Sequence, residues 1–386
     1  MSGEQQQLGV PQIRKPPVAE DDGPIPGVGL CLSGGGYRAM VFHVGALLRL
    51  NQAGFLPRID RVSSVSGGSI TAGVLGLHWN RLRFDAGGVA ANLDEEVVNP
   101  LRALADRTID AWAVIQGAVT PGVTINRRLA ASYRRALFGK HTLADLPVRP
   151  EFIFDATNLQ SGDLWRFSKR VEGDWRVGTR ADPDTQLAVA VAASSAFPPV
   201  LSPARLSFAP GAMKPGGDPD VSRAPYTTRV VLADGGVYDN LGLEAVWTRY
   251  QTVLISDAGG HMGDAQRLSG LWPLQIPRVL KVIDNQVRDL RKRQAVDSYV
   301  DGRRTGTYWG IRSHVADYGL PDPIANPSDA VVRALAGVPT RLARMTERQQ
   351  QRLINWGYLI CDTALRAHLD KSQPAGKLPF AATGFG

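Results

Sequence analysis

The sequence predicts an α/β fold, with a mostly parallel central sheet flanked by helices and a helical extension at its C-terminal end. Two observations support this class: short apolar runs alternate with segments of helical periodicity, and glycine-rich turns connect them. Such alternation is typical of parallel sheets, because successive parallel strands are joined by crossover helices. The chain has 386 residues, 44% of them hydrophobic, which is enough to bury a core of this kind.

The first two strand–helix units follow from the apolar spacing. Residues 28–32 predict a buried strand, and residues 37–52 show helical periodicity up to Gly54, a residue type that commonly ends helices. Residues 59–65 predict a second strand and residues 69–79 a second helix. The turns that follow the two strands are therefore expected at one edge of the sheet.

Later segments continue this pattern with interruptions. Further strands are predicted over residues 152–156, 229–233 and 252–256. A helical segment over 241–250 joins the last two, residues 80–150 are predicted to be mostly helical, and residues 203–227, rich in proline and glycine, are predicted to be a loop. Beyond residue 270 the chain becomes charged and helical, and residues 346–368 predict a long helix.

We therefore expect three parts in the chain. Residues 1–26 are polar and proline-rich and predict a flexible tail, without the apolar stretch of a secretory signal. Residues 27–265 hold the strand–helix units and predict the main domain. Residues 266–386 predict a mainly helical region that packs on this domain or extends it.

The charge of the chain favours anionic partners. The formal net charge is +8, and a basic surface attracts phospholipid headgroups or nucleic acid. The basic residues are not interleaved with aromatic residues, so we expect no nucleic-acid partner. The densest basic cluster is Arg288, Arg291, Lys292 and Arg293, which predicts one face of a solvated helix and leaves a role at a membrane surface open.

Composition also bears on the compartment. Apolar runs are shorter than a transmembrane helix requires, so any membrane association is expected to be peripheral. The two cysteines, Cys31 and Cys361, form no disulfide framework and fit a reducing compartment. We expect a cytoplasmic protein with peripheral membrane association.

The first chemical feature is the run Gly34, Gly35 and Gly36 between a predicted strand and a predicted helix. Glycines let backbone amides approach a ligand closely, and a helix N-terminus adds a positive dipole. The run predicts a pocket for an anion, either a phosphate or the oxyanion of an acyl-transfer intermediate. A tight strand-to-helix turn is the structural alternative.

The second feature is the segment Ser64-Val65-Ser66-Gly67-Gly68, which has the pattern of a nucleophile elbow. Such an elbow raises a serine hydroxyl above the sheet and needs small neighbours, because strand and helix come close at the turn. Ser64 stands at the first small position, where glycine is usual. The amide of Gly67 follows Ser66, so it can donate to an oxyanion. A serine-rich turn is the alternative interpretation.

The third feature is Asp234-Gly235-Gly236, directly after the predicted strand 229–233. An aspartate at the carboxyl end of a strand faces the rim where open α/β sheets place their active sites. An Asp-Gly turn is the structural alternative. Asp234, Asp239 and Asp257 lack a His or Cys partner at metal-ligand spacing, so no metal ion or other cofactor is expected.

A serine hydroxyl needs a nearby base to act as a nucleophile. Histidine is the usual base, but His43, within the first predicted helix, and His261, in a loop, have no distinctive sequence context. If no histidine serves, Asp234 accepts the proton of Ser66 directly, which makes a two-residue site.

Together these blocks resemble the patatin-like phospholipase family. Gly34-Gly35-Gly36-Tyr37-Arg38 is similar to the family's glycine-rich oxyanion segment with its following arginine, and residues 64–68 are similar to its G-x-S-x-G elbow. Residues 193–199, Ala-Ser-Ser-Ala-Phe-Pro-Pro, are similar to its alanine–serine–proline block, and Asp234-Gly235-Gly236 looks like its D-G-[GA] motif.

The resemblance implies a three-layer α/β/α fold and a serine hydrolase that cleaves fatty-acyl esters of phospholipids or lysophospholipids through an acyl-enzyme. Carried over by position, Ser66 is the nucleophile and Asp234 its base. The amides of Gly34–Gly36 and Gly67 form the oxyanion hole, and Arg38 holds the glycine loop or faces a lipid phosphate.

Two other functions stay open at this point. An acyltransferase would use the same acyl-enzyme with an acceptor other than water. A non-catalytic module that binds lipids or anions would need only the basic surface and the glycine loop, but it would be expected to have lost the serine or the aspartate.

Overall fold

The computed structural model describes residues 23–109, 124–260, 263 and 265–386. Within these residues, eleven strands form one sheet in the order β11-β10-β1-β2-β3-β4-β5-β6-β8, with β9 paired to β3 and β7. The strands are β1 Ile25–Leu32, β2 Arg61–Ser64, β3 Glu151–Asn158, β4 Asp163–Phe167, β5 Val171–Asp174, β6 Gly178–Ala181, β7 Ala204–Ser207, β8 Lys214–Pro215, β9 Arg229–Asp234, β10 Tyr250–Asp257 and β11 Thr305–Gly310.

Helices cover both faces of this sheet. The described α-helices are α1 Gly36–Gln52, α2 Gly67–His78, α3 Asn99–Ala105, α4 Ile125–Tyr133, α5 Leu187–Ser194, α6 Gly236–Asp239, α7 Glu244–Trp247, α8 Trp272–Val300, α9 Asp329–Ala336 and α10 Glu347–Ala364. Leu30 and Leu32 of β1 pack into the core that contains α1 and α2, whereas Cys31 packs with the residues around α7. This alternation, with a period of two, gives three layers. The predicted α/β class is confirmed.

Strands β11, β10, β1, β2 and β3 run parallel, so their carboxyl ends and the turns that follow lie at one edge. Strand β1 leads into α1 through the glycine run, and β2 leads into α2 through Ser66. The two strands are in register from Gly29 opposite Arg61 to Leu32 opposite Ser64. The glycine run and Ser66 therefore begin side by side.

Strand β9 reaches the same place from the opposite direction. It runs antiparallel to β3, with Asp234 opposite Ala156. Strand β2 occupies the first half of the same edge of β3, where Ser64 lies opposite Phe154, while β4 takes the other edge. The carboxyl ends of β2 and β9 consequently meet head to head. The sequence analysis expected Asp234 at the end of a parallel strand, and that expectation of direction was wrong.

The C-terminal part contributes to the same core. Helix α10 begins after Thr346, whose hydroxyl caps it, and lies across α1. The helices approach closely at two glycines: a Cβ on Gly45 would lie 2.0 Å from the carbonyl oxygen of Ile354, and one on Gly357 would lie 2.0 Å from that of Phe42. The predicted division at residue 265 stays a prediction.

Two local predictions were wrong. Residues 203–227 contain β7 and β8 in addition to irregular chain, because β7 pairs with β9 and β8 with β6. The segment 241–250 is helical only over the short α7, and Tyr250 already belongs to β10. None of the described helices is long and apolar enough to cross a membrane.

Candidate active site

Ser66 stands at the sharp turn between β2 and α2. Its backbone has φ 52° and ψ −116°, an unusual conformation for a residue other than glycine. Such strained positions concentrate at functional sites, where the surrounding structure holds them in place. Ser66 is half-buried, so its hydroxyl can be reached from solvent. The predicted nucleophile elbow is therefore present in its geometry.

Close packing explains the two glycines that follow Ser66 in this turn. A Cβ on Gly67 would lie 2.1 Å from the carbonyl oxygen of Gly36, and one on Gly68 would lie 2.2 Å from that of Leu32. Ser64, at the position where glycine is usual, fits because its hydroxyl donates to the carbonyl oxygen of Ile153 at 3.0 Å. The substitution of serine for glycine therefore leaves the elbow intact.

Three backbone amides point to an anion site between the glycine run and the elbow. Gly36 and Gly67 are the first residues of α1 and α2, so their amides have no acceptor within the helix. Among the described residues, no acceptor takes the amide of Gly35, Gly36 or Gly67. The amide of Gly34, in contrast, donates to the carbonyl oxygen of Asn240 at 3.1 Å. Gly34 therefore has a structural hydrogen bond and is not a free donor.

Asp234 lies at the end of β9 with its carboxyl group facing Ser66. It is 2% exposed, and its Oδ1 accepts from the amide of Gly236 at 2.8 Å. Oδ2 is buried and has no hydrogen-bond partner within 3.5 Å among the described residues. The Ser66 hydroxyl lowers the pKa of Asp234, which indicates that it lies near this carboxyl.

Burial has the larger effect on this carboxyl. It raises the pKa of Asp234 from its ordinary value to about 7, against the opposing effects of the Gly236 amide and the Ser66 hydroxyl, and the negative charge of Asp284 raises it further. A carboxyl with this pKa is half ionised near neutral pH and can both take and return a proton there.

Ser194, at the end of α5, connects the two sides of the site. Its hydroxyl accepts from the amide of Ser66 at 3.0 Å and forms a hydrogen bond with Ser69 at 2.8 Å, while its carbonyl oxygen accepts from the amide of Gly235 at 3.3 Å. Ser194 belongs to the 193–199 block, but the sequence analysis assigned it no role. Nothing in apolar periodicity marks such a residue, because its partners lie in other segments.

The predicted roles of Arg38 were a support of the glycine loop or a contact with phosphate. Its guanidinium donates to the carbonyl oxygens of Ala336 at 2.8 Å, Val338 at 2.9 Å and Ala258 at 2.8 Å. The same oxygen of Ala258 would lie 2.6 Å from a Cβ on Gly35. Arg38 is 3% exposed, so its guanidinium is directed into the protein, and its support of the glycine loop stays a prediction.

His43, one of the two histidines considered as a base, is not placed to serve Ser66. His43 is fully buried, with Nε2 2.9 Å from the carbonyl oxygen of Ser33 and Nδ1 2.8 Å from the hydroxyl of Ser256. Burial lowers the pKa of His43 to about 4, so the ring stays neutral. His261 lies outside the described residues.

A second buried carboxyl deserves comparison because its pKa is also raised. Burial raises the pKa of Asp155 to about 8. Its Oδ2 accepts from the hydroxyl of Ser63 at 2.7 Å, so it serves the strand residue below the turn and not Ser66. Within the described residues, no group of three or more His, Cys, Asp and Glu side chains is arranged to hold a metal ion.

Helix α8 forms one border of the site. Arg288 is 8% exposed, its Nη1 lies 2.5 Å from the place of a Cβ on Gly259, and this Nη1 has no hydrogen-bond partner among the described residues. Arg291 forms an ion pair with Glu244 at 2.9 Å, and Lys292 lies over the ring of Tyr308. The predicted solvated face was therefore wrong for these residues, although Arg293 is exposed.

The chain is similar to one protein family and to several solved structures. A model of the patatin-like phospholipase family matches residues 30–247. No curated protein matches the chain. Human GIVD cytosolic phospholipase A2 aligns at 15% identity and a TM-score of 0.47, over 88% of this chain and 61% of that one.

Two further solved structures are similar. The complex of the same human phospholipase with methyl gamma-linolenyl fluorophosphonate aligns at 15% identity and a TM-score of 0.48, over 88% of this chain and 57% of that one. VipD from Legionella pneumophila aligns at 15% identity and a TM-score of 0.34, over 89% and 67% of the two chains. This chain thus spans less than two thirds of the phospholipase A2 chains that it matches.

Proposed function

This chain belongs to the patatin-like phospholipase family, and we propose that it is a serine hydrolase that cleaves fatty-acyl esters of phospholipids or lysophospholipids. The observation that carries the proposal is the proximity of Ser66, on a strained turn, to Asp234, a buried carboxyl whose Oδ2 has no described hydrogen-bond partner and whose pKa the Ser66 hydroxyl lowers. No other described ionisable group is placed to accept the Ser66 proton. A dyad explains this arrangement, since a serine hydroxyl without a base is a poor nucleophile.

In the first half of the reaction, Ser66 Oγ attacks the ester carbonyl carbon while Asp234 takes the hydroxyl proton. The tetrahedral intermediate then collapses, the bond from carbon to the alcohol oxygen breaks, and Asp234 returns the proton to the leaving alcohol. In the second half, Asp234 takes a proton from water, the hydroxide attacks the acyl-enzyme, and the fatty acid leaves as Ser66 regains its proton. Each step conserves one proton between the dyad and the substrate.

The amides of Gly35, Gly36 and Gly67 support this chemistry as the oxyanion hole. They lie beside Ser66 and have no described protein acceptor, and two of them begin helices whose dipoles favour negative charge. Loss of one donor of this kind typically lowers the rate by about 100- to 1000-fold. Gly34 is not included, because its amide is already bonded to Asn240.

A phospholipid also carries a phosphate, and Arg38, which is 3% exposed, directs its guanidinium to three backbone carbonyl oxygens inside the protein. Arg288 is the better candidate, because its Nη1 lacks a partner and the side chain lies beside Gly259 at the border of the site. Guanidinium groups bind phosphate oxygens with strong, charge-assisted hydrogen bonds. We assign headgroup recognition to Arg288.

The test compares fatty-acid release from a panel of lipids, read by mass spectrometry, with labelling by a serine-reactive fluorophosphonate. Ser66→Ala should abolish both, and Asp234→Asn should abolish release and strongly slow labelling. Asp155→Asn is the matched control, because it changes the other buried carboxyl with a raised pKa and should leave Ser66 reactive. Full activity of Ser66→Ala or Asp234→Asn would refute the dyad.

The same assay separates the two other functions. Ester products formed with added acceptor alcohols would identify an acyltransferase, since both enzymes share the acyl-enzyme. Vesicle binding without labelling and without turnover would identify a non-catalytic lipid-binding module.

A further inference from the structure

Helix α8 exposes an apolar stripe along its first five turns. Its members recur at spacings of three and four residues, which places them within about 100° of one another around the helix. They are Trp272, Ile276, Val279, Leu280, Ile283, Val287 and Leu290. Their exposed fractions run from 37% for Val287 to 71% for Trp272. We call this set the α8 stripe.

Three basic side chains of α8 contact other segments of the chain. Arg278 donates to the carbonyl oxygen of Gly263, Arg288 packs against Gly259, and Arg291 pairs with Glu244. A helix on the surface of a soluble protein normally buries its apolar face and exposes its polar one. No residue of α8 is buried from 272 to 287, so its apolar side chains stand exposed and are available to a partner that is not water.

The α8 stripe lies next to the proposed active site. Asp284, between two members of the stripe, is close enough to raise the pKa of Asp234. Helix α6, which directly follows Asp234, contacts α8. Val237 in α6 is 50% exposed. Phe197 is 61% exposed and directly follows Ala196, whose carbonyl oxygen accepts from the amide of Asp234. These apolar side chains extend the exposed surface to the mouth of the site.

Charge distinguishes the possible partners. Helix α8 carries six basic and three acidic side chains, with Lys281 and Arg293 exposed, and the whole chain has a net charge of +8. A second copy of the chain docked on the stripe would bring two basic surfaces together, which is unfavourable. A bilayer with anionic lipid attracts the same charges and accepts the apolar side chains.

Shape favours the same partner. The α8 stripe extends about 28 Å along the helix, from the rise of 1.5 Å per residue, and Pro277 lies within this length. An apolar face of this length on a helix with a basic flank is typical of helices that lie in the plane of a membrane surface. A stripe of single side chains along a convex helix offers no pocket for a small ligand.

We propose that the α8 stripe docks this protein on the surface of a bilayer that contains anionic phospholipid, with Ser66 facing the lipid. The choice of a lipid surface rests on the proposed function, because the substrate of a phospholipase resides there. Docking would bring the mouth of the site, with Phe197 and Val237, into contact with the acyl chains. Extraction of a substrate molecule would then need no passage through water.

The binding test uses Ser66→Ala protein, so that hydrolysis does not change the vesicles, and sedimentation with vesicles of phosphatidylcholine and phosphatidylglycerol. In the same Ser66→Ala background, the double substitution Leu280→Gln/Ile283→Gln removes two central members of the stripe without adding charge near Asp234. Its partition onto the vesicles should fall roughly tenfold or more. The matched control is Ile25→Gln/Val148→Gln, which should bind normally. Ile25, 42% exposed, begins β1, and Val148, 55% exposed, lies shortly before β3.

Two further readouts separate docking from catalysis. With Ser66 present, the stripe variant should hydrolyse a monomeric short-chain ester at the wild-type rate but lose activity on vesicles. If wild type hydrolysed neither substrate but still bound vesicles, the proposed hydrolase function would be refuted and the docking proposal would stand. Equal sedimentation of the stripe variant and wild type would overturn the docking proposal. The proposal would also be overturned if wild type were a dimer, the stripe variant a monomer, and both bound vesicles equally.

Discussion

The raised pKa of Asp234 makes activity depend on pH in a defined direction. If Asp234 is the base, only its ionised form can accept the Ser66 proton. Burial raises its pKa to about 7, so about a tenth of the molecules are ionised at pH 6 and about nine tenths at pH 8. We therefore expect kcat/KM for a monomeric ester to rise about tenfold between these values.

The assay is the initial rate of fatty-acid release from pH 5 to 9, with fluorophosphonate labelling of Ser66 measured in parallel. Both should follow one ionisation on the acidic side, with a midpoint near pH 7. A rate that is constant from pH 5.5 to 8.5, or one that falls only near pH 4, would refute the assignment of Asp234 as a buried base. His43 cannot mimic this profile, because burial lowers its pKa to about 4.

The same shift predicts an effect on stability. Because folding raises the pKa of Asp234, the native state binds this proton more tightly than the unfolded state does. The resulting stabilisation is complete below the unfolded pKa of 3.8 and is lost as the pH rises through about 7. The full shift corresponds to roughly 4 kcal/mol. Asp234→Asn should therefore raise the melting temperature at pH 8 and do so much less at pH 5, even though it abolishes activity.

Three substitutions test other parts of the site. Gly67→Ala places a methyl group 2.1 Å from the carbonyl oxygen of Gly36, so kcat should fall about 100-fold or more as the anion site is displaced, measured on the monomeric ester. Arg38→Met removes three hydrogen bonds to carbonyl oxygens and should lower the free energy of unfolding by about 3 kcal/mol or more in urea titrations, without changing headgroup preference. Arg288→Gln should raise KM about tenfold for a phospholipid and much less for a neutral ester, and an equal effect on both would contradict headgroup recognition.

The sequence was most informative where function depends on local backbone geometry. The turn at Ser66 needs small residues on both sides, and the glycines there would collide with backbone oxygens if they carried a Cβ. Such requirements leave a mark on consecutive residues, so the elbow and the glycine run were predicted as motifs. The helix that begins after Thr346 was predicted for the same reason, because its cap and its periodicity are local.

The sequence was least informative where a side chain meets a distant segment. The three acceptors of Arg38 come from two segments more than 200 residues away, and nothing beside Arg38 indicates them. The orientation of α8 has the same origin. Its basic residues suggested a solvated face, but Arg291 pairs with Glu244 and Arg288 packs beside Gly259, while apolar side chains of the same helix stay exposed.

The direction of β9 shows how a correct position can follow from an incorrect reason. Asp234 was expected beside Ser66 because parallel strands end at a common rim, yet β9 runs against β3. Because β2 and β9 share one edge of β3 and end toward each other, the carboxyl approaches the elbow along the strand direction. Ser194 then binds the backbone of both ends, at Ser66 and at Gly235. Ser194 therefore couples the backbone position of Ser66 to that of the strand end that carries Asp234.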